Sequence, residues 1–296
     1  MKPTVGVIGV GLMGLGMVLR LRDGAWPVRV RDLDARRESL AAEAGAHVAA
    51  DAAALGATCA MLIVAVVDAA QTEAVLFGPA GAAGAMRAGS CVMLCPTIAP
   101  ADTERLAARL MQMGLGCIDA PMSGGPLRAR DGSMSLMVAC QDAQFDRQQA
   151  ILGWLSSRLF RVGSKPGDGA RTKLVNNLLA AANLGAACEA MLLAERVGLD
   201  PRLTLEVIAQ SSGQSWIGSD RMARALAADP QVLAQTALLA KDSALAIAMA
   251  TDSGWRPDIG AQAAALFQAA CQSGCAAHDD AQLLSWLRAQ APGQAG

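Results

Sequence analysis

Val7-Ile8-Gly9-Val10-Gly11-Leu12-Met13-Gly14 decides the fold. A β-type run, Thr4–Ile8, feeds directly into Gly-x-Gly-x-x-Gly, and a helical pattern follows over Gly14–Arg22. In that spacing the first glycine makes a tight turn, the second lets a pyrophosphate approach the backbone, and the third lets helix and strand pack. The phosphate then meets a helix N-terminus, where free amides and the helix dipole favour an anion. A glycine-rich turn alone can be only a turn. The flanking strand and helix make this one a dinucleotide loop, with Gly9, Gly11, Leu12, Met13 and Gly14 as cofactor contacts. The next β-type run, Val28–Arg31, ends at Asp32, about 20 residues on, where an acid accepts hydrogen bonds from the ribose hydroxyls. A carboxylate there repels a 2′-phosphate, so NAD is expected over NADP. Arg36 and Arg37 either soften that preference or are the exposed start of a helix.

Further β-type runs fall at Cys59–Val67, Cys91–Cys95, Cys117–Ala120, Leu136–Cys140 and Leu159–Val162. Helical patterns alternate with them at Ala35–Ala44, Ala69–Leu76, Pro100–Met113 and Gln144–Leu155. This alternation predicts an α/β doubly wound parallel sheet of Rossmann type over residues 1–163. After Gly163-Ser164-Lys165-Pro166-Gly167 the β-type runs cease. Residues 164–296 are expected to form an all-α substrate and oligomerisation domain, led by a long interdomain helix. Pro201, Pro230 and Pro257 mark helix starts, and the tail Ala289–Gly296 is expected to be disordered.

Composition narrows the function. The chain is 53% hydrophobic and 17% charged with a net charge of -1, and no long basic cluster supports nucleic-acid binding. No apolar stretch of roughly 18 residues runs without glycine or charge, so a membrane span is not expected, and the strand at the very N-terminus predicts no signal peptide. The eight cysteines are scattered without Cys-x-x-Cys, as in a reduced cytoplasmic protein. Cys271 and Cys275 stand one helical turn apart but lack the further ligands zinc prefers, and no metal is expected. No tyrosine is present, which excludes a Tyr-Lys proton relay. Of the two histidines, His47 reads as a surface residue and His278 as part of a helix terminus rather than a His-Asp dyad. A dehydrogenase built on this loop therefore needs a lysine as its acid or base.

Gly167-Asp168-Gly169-Ala170-Arg171-Thr172-Lys173-Leu174-Val175-Asn176-Asn177 supplies one. On a helix Lys173 and Asn177 share a face, and a cation and an amide on one ridge can hold a hydroxyl and a carboxylate together. Burial beside a positive nicotinamide would bring a lysine's pKa down toward the operating pH. Asp119-Ala120-Pro121-Met122-Ser123-Gly124-Gly125-Pro126 follows a β-type run. It reads either as a tight turn or as a carboxylate nest of one hydroxyl and bare amides, and its place at a strand's C-terminal end favours the nest. Lys241-Asp242 is a charged pair inside an apolar helix, expected to face the cleft or a partner subunit. Trp216, in a polar loop, either walls the substrate pocket or anchors an interface.

Together these blocks resemble the β-hydroxyacid dehydrogenase family, which includes 3-hydroxyisobutyrate dehydrogenases and tartronate semialdehyde reductases. The resemblance implies that Lys173 is catalytic with Asn177, that Ser123, Gly124, Gly125 and Asn177 hold the substrate, and that Thr97 and Lys241 contact NAD. It also implies a homodimer or homotetramer acting on a small hydroxycarboxylate. Cys95 departs from the family's usual serine before Thr97, and Ala234 replaces its usual aromatic. Val66–Gln71 and Ser211–Trp216 look like the L-threonate dehydrogenase branch, whereas Asn176-Asn177 matches the hydroxyisobutyrate enzymes. Two other uses of such a chain are imine reduction, which retention of Lys173 opposes, and NAD(H) sensing without turnover, which the intact catalytic and substrate blocks oppose.

Overall fold

The computed structural model describes residues 2–291. Nine strands form one sheet: β1 (Val5–Ile8), β2 (Val28–Arg31), β3 (His47–Val48), β4 (Met61–Val64), β5 (Cys91–Leu94), β6 (Gly116–Asp119), β7 (Met122–Ser123), β8 (Ser135–Ala139) and β9 (Arg158–Gly163). The helices are α1 (Leu12–Asp23), α2 (Ala35–Glu43), α3 (Ala52–Gly56), α4 (Ala69–Phe77), α5 (Pro100–Gln112), α6 (Gly125–Asp131), α7 (Asp142–Leu155), α8 (Asp168–Arg196), α9 (Pro201–Ala209), α10 (Trp216–Leu226), α11 (Thr236–Asp252), α12 (Asp258–Ala270) and α13 (Leu283–Gln290). They group into two compact units, Met1–Lys173 and Leu174–Gly296.

In the first unit the order is β3-β2-β1-β4-β5-β6-β8-β7, with β9 beside β8. From β3 to β6 all pairings are parallel, with Val5 opposite Val28 on one side and Met61 on the other. β8 then runs antiparallel to β6 and β7. The sheet is thus parallel over most of its width, as expected, with an antiparallel portion at β7 and β8. A parallel return needs a crossover of a dozen or more residues, usually a helix, and the segment between β7 and β8, 124–134 with the seven-residue α6, falls short of that. The inner strands are buried along their whole length because helices cover both faces. Met61 and Ile63 enter one core with Val5, Val7, Met17 and Val18, while Leu62 and Val64 enter the other with Leu106 and Leu110.

In the second unit α8, 29 residues long, continues from its start in the first. Its buried Ala181, Leu184, Cys188 and Met191 recur at helical spacing and pack with Met222, Phe267, Leu283 and Leu284. Among the described residues α8 alone has the length and apolarity of a membrane span, and one face of it packs in the core of the second unit. Pro201 opens α9 and Pro257 caps α12 as expected. Pro230 does not open a helix, because Leu233 and Ala234 give their amides to Asp279 and hold the segment irregular until Thr236. Ala289 and Gln290 are helical, against the expected disorder, and the rest of that tail from 292 lies outside the described residues. All eight cysteines are free thiols.

Candidate active site

The glycine loop is built by exclusion of side chains. Gly9 holds φ +89, and a Cβ there would stand 2.6 Å from the Ala65 carbonyl oxygen. A Cβ at Gly14 would lie 1.9 Å from the Gly9 oxygen, so both positions accept only glycine. Gly11 differs: its nearest neighbour would be the Arg37 guanidinium, at 3.4 Å, which leaves the backbone open to a ligand beside the N-terminus of α1. At the end of β2 the Asp32 carboxylate accepts the Val10 amide at 2.5 Å and the Asp34 amide at 2.9 Å, so the acid is tied to the loop it serves. Glu38 accepts the Asp32 amide and pairs with Arg31. A bare turn, an open helix N-terminus and a fixed carboxylate suit a dinucleotide. Arg37 is exposed near the start of α2, pairs with Asp34, and reaches toward Gly11.

The other expected contacts of this unit follow the carboxyl ends of their strands, where such sheets bind ligands. Thr97 lies half-buried in the loop after β5. Ser123 pairs with Ser135 across β7 and β8, and Gly124 (φ +123) and Gly125 (φ +79) turn the chain into α6. A Cβ on Gly125 would meet nothing within 4 Å, so its backbone faces open space, as a carboxylate nest requires. α6 rests on α1 because Gly16 leaves room: a Cβ there would sit 2.9 Å from Ala129 Cβ and 3.0 Å from the Pro126 oxygen. The candidate substrate loop thus leads into a helix seated on α1.

Lys173 (7% exposed) and Asn177 (8%) are buried one turn apart on α8. The Asn177 amide nitrogen donates to Asp242 Oδ2 at 2.6 Å, and Asn176 donates to the Asn177 oxygen at 2.9 Å. Lys241 Nζ pairs with Asp242 Oδ1 at 2.7 Å. The Lys241-Asp242 pair thus serves to fix the Asn177 amide. The sequence carried no local sign of this, since the two partners lie 65 positions apart.

Trp216 begins α10 rather than lying in a loop: Ser215 caps the helix by accepting the Gly218 amide, and the residue is 45% exposed with the Arg221 guanidinium 5.9 Å from its ring centre. His47 is exposed on β3. His278 is exposed and makes no dyad with its neighbours, because Asp279 pairs with Arg224 and Asp280 with Arg221. Among the described residues no cluster of three or more metal-ligating side chains exists, and Cys271 and Cys275 lie in a kinked segment with Gly274 at φ +93.

Asp119 received no role from sequence. It is 2% exposed at the end of β6, and its Oδ2 accepts the amides of Gly167 at 2.8 Å and Ala170 at 3.1 Å at the start of α8. Burial pushes its pKa up to about 6, against the lowering effect of these amides and that of Gly169. The available signal was an acid closing a strand, together with a long helix whose start, Gly167-Asp168-Gly169, is flanked and entered by glycines.

Residues 4–163 match the family model of the NAD binding domain of 6-phosphogluconate dehydrogenase, and residues 167–287 that of the NAD-binding domain of NADP-dependent 3-hydroxyisobutyrate dehydrogenase. The chain is 35% identical to an L-threonate dehydrogenase of Cupriavidus necator over 96% of each chain. It is 31% identical to the mitochondrial 3-hydroxyisobutyrate dehydrogenase of Bos taurus, over 97% of this chain and 87% of that one. A solved 3-hydroxyisobutyrate dehydrogenase from Salmonella typhimurium superposes with a TM-score of 0.90 at 30% identity, covering 96% of this chain and all of that one.

Proposed function

The chain belongs to the β-hydroxyacid dehydrogenase family, and from that membership we propose an NAD-preferring oxidoreductase for a small hydroxycarboxylic acid, with Lys173 as general acid and base. The observation that carries the reading is the buried Lys173 one helical turn from an Asn177 whose amide is fixed by Asp242. Gly9–Gly14, Asp32 and Thr97, with Lys241 as a further contact, would hold the nicotinamide cofactor, which would supply the hydride acceptor or donor when bound. Ser123 and the Gly124 and Gly125 amides bind the substrate carboxylate. Asn177 Nδ2, with one hydrogen committed to Asp242, presents its other to the substrate. Lys173 Nζ takes the proton of the hydroxyl during oxidation and gives it back during reduction. A donor array fixed before substrate arrives contributes chiefly through orientation.

We assign the substrate to the four-carbon sugar acids, L-threonate first, with 3-hydroxyisobutyrate as competitor. Val66–Gln71 and Ser211–Trp216 support this, as does the higher identity to the Cupriavidus necator enzyme. Trp216 is then a pocket residue. NADH formation with L-threonate, D-threonate, D-erythronate, 3-hydroxyisobutyrate, D-glycerate and L-serine tests the assignment. Preference for 3-hydroxyisobutyrate would make Asn176-Asn177 the better guide, and silence across the panel would defeat the dehydrogenase reading. Six exposed apolar side chains, Val175, Leu179, Leu193, Val197, Leu203 and Val207, support a homodimer or homotetramer. The reduced thiols support the cytoplasm.

The cofactor preference is testable at one residue. Asp32 disfavours a 2′-phosphate, while the Arg37 guanidinium beside Gly11 attracts one. Arg37→Ala is expected to raise KM for NADP about tenfold, equivalent to ~1.4 kcal/mol, and to leave KM for NAD within about twofold. Equal changes for the two cofactors would remove Arg37 from the 2′-position.

A further inference from the structure

We propose that Asp119 is a positioning residue: its carboxylate caps the N-terminus of α8 from the neighbouring strand and so holds Lys173 in register with the substrate loop. This inference rests on the reading of Lys173 as acid and base. The first four N–H groups of an α-helix have no partner within it, and a side-chain oxygen usually meets one or two of them. For α8 that oxygen comes from β6, as Asp119 Oδ2 takes the Gly167 and Ala170 amides. The same strand end begins Asp119–Gly125, the loop with the candidate carboxylate nest. One carboxylate therefore fixes the start of the catalytic helix to the start of the substrate loop.

The surrounding glycines exist for this approach. A Cβ at Gly169 would stand 2.8 Å from both the Asp119 carboxyl carbon and the Met137 oxygen, one at Gly163 would lie 2.2 Å from Asp168 Oδ2, and Gly167 holds φ +101. Any side chain at Gly163 or Gly169 would push the helix start away from the strand ends. Lys173 lies one turn beyond Gly169 on the same rigid helix, so the displacement would reach its ammonium. A misplacement of about 1 Å at a reacting group can cost about 100-fold in rate.

The charge of Asp119 completes the case. The groups facing it are Asp168 on α8 and the thiols of Cys95, Cys117 and Cys140. Burial pushes all three thiols up, so they stay neutral where Asp119 titrates, near pH 6. With a folded pKa above the unfolded value, ionisation of Asp119 lowers folding stability as pH rises through that region. A neutral cap would avoid this cost. The anion, in return, accepts the amides of α8 more strongly and complements the helix dipole.

Asp119→Asn tests the proposal through amide exchange and kinetics. Exchange over residues 167–173 should quicken about tenfold at pH 7.5, while the strands keep their wild-type rates. Turnover should fall about 10- to 100-fold with KM for NAD within twofold, and an acid limb near pH 6 in wild-type kcat should vanish. Unchanged exchange over 167–173, or faster exchange with unchanged kcat, would overturn the proposal. Should the variant not fold, the wild type decides. The amides of α8 lower the pKa of the buried Asp119 carboxyl, so an opening that frees them while Asp119 stays buried is easier once it is protonated. After correction for intrinsic rates, protection over 167–173 should drop selectively below pH 6; a flat or rising profile overturns the cap. A wild type silent on every hydroxyacid defeats the dehydrogenase reading, while the exchange data still decide the cap.

Discussion

Lys173→Ala is expected to lower kcat by about 10²- to 10⁴-fold, the usual contribution of a general acid or base, with NADH affinity within about twofold of wild type. The argument begins with burial. A lysine 7% exposed costs free energy that a solvated one does not, and lysines are seldom buried without a task or a partner. Lys173 sits in the second turn of α8, near the helix's positive end, where a cation is disfavoured. The variant should keep its fold, read as an unchanged far-ultraviolet dichroism spectrum, while losing turnover. Lys173→Arg adds the sharper control: it keeps the charge but cannot release a proton near neutral pH. It should be nearly as inactive as alanine. If arginine restored turnover, Lys173 would be a charge that holds the substrate carboxylate, and the proton would move elsewhere.

What the sequence made legible follows from the range of each interaction. The glycine loop, Asp32, the substrate loop and Lys173 are local motifs whose spacing carries their geometry, and the structure places them at strand ends and on α8. β3 and β7, two residues each, are too short for any periodicity to register. The antiparallel β8 depends on the length of α6, whose Gly-Pro start reads as a turn. Pro230 resembled the helix-opening prolines, but the carboxylate of Asp279, far along the chain, holds the segment after it. The roles of Asp119 and Asp242 were hidden for the same reason. Each acts on a backbone or side chain brought near only by folding, 48 to 65 positions away.

Gly14→Ala and Gly11→Ala should separate what the nucleotide loop does for the fold from what it does for the ligand. At Gly14 the added Cβ would meet the Gly9 oxygen at 1.9 Å, a backbone atom that cannot swing aside. Relief requires α1 to move off β1. α1 carries Gly16, on which α6 is seated, so its movement would disturb the substrate loop as well as the phosphate cradle. A loss of several degrees in Tm is expected, since each kcal/mol lost shifts a domain of this size by about 2–4 °C. NADH affinity should fall at least about 100-fold. Gly11 takes φ -64, which alanine adopts freely, and its Cβ would touch only the tip of the Arg37 side chain. There the methyl group should leave Tm within about 1 °C yet occupy the space where the pyrophosphate meets the backbone, so NADH affinity falls while the fold persists. Thermal melts and NADH fluorescence titrations on the two variants read both quantities. A Gly11→Ala protein that binds NADH as the wild type does would show that the pyrophosphate does not lie over this glycine, and the reading of the loop would have to be abandoned even with the fold intact.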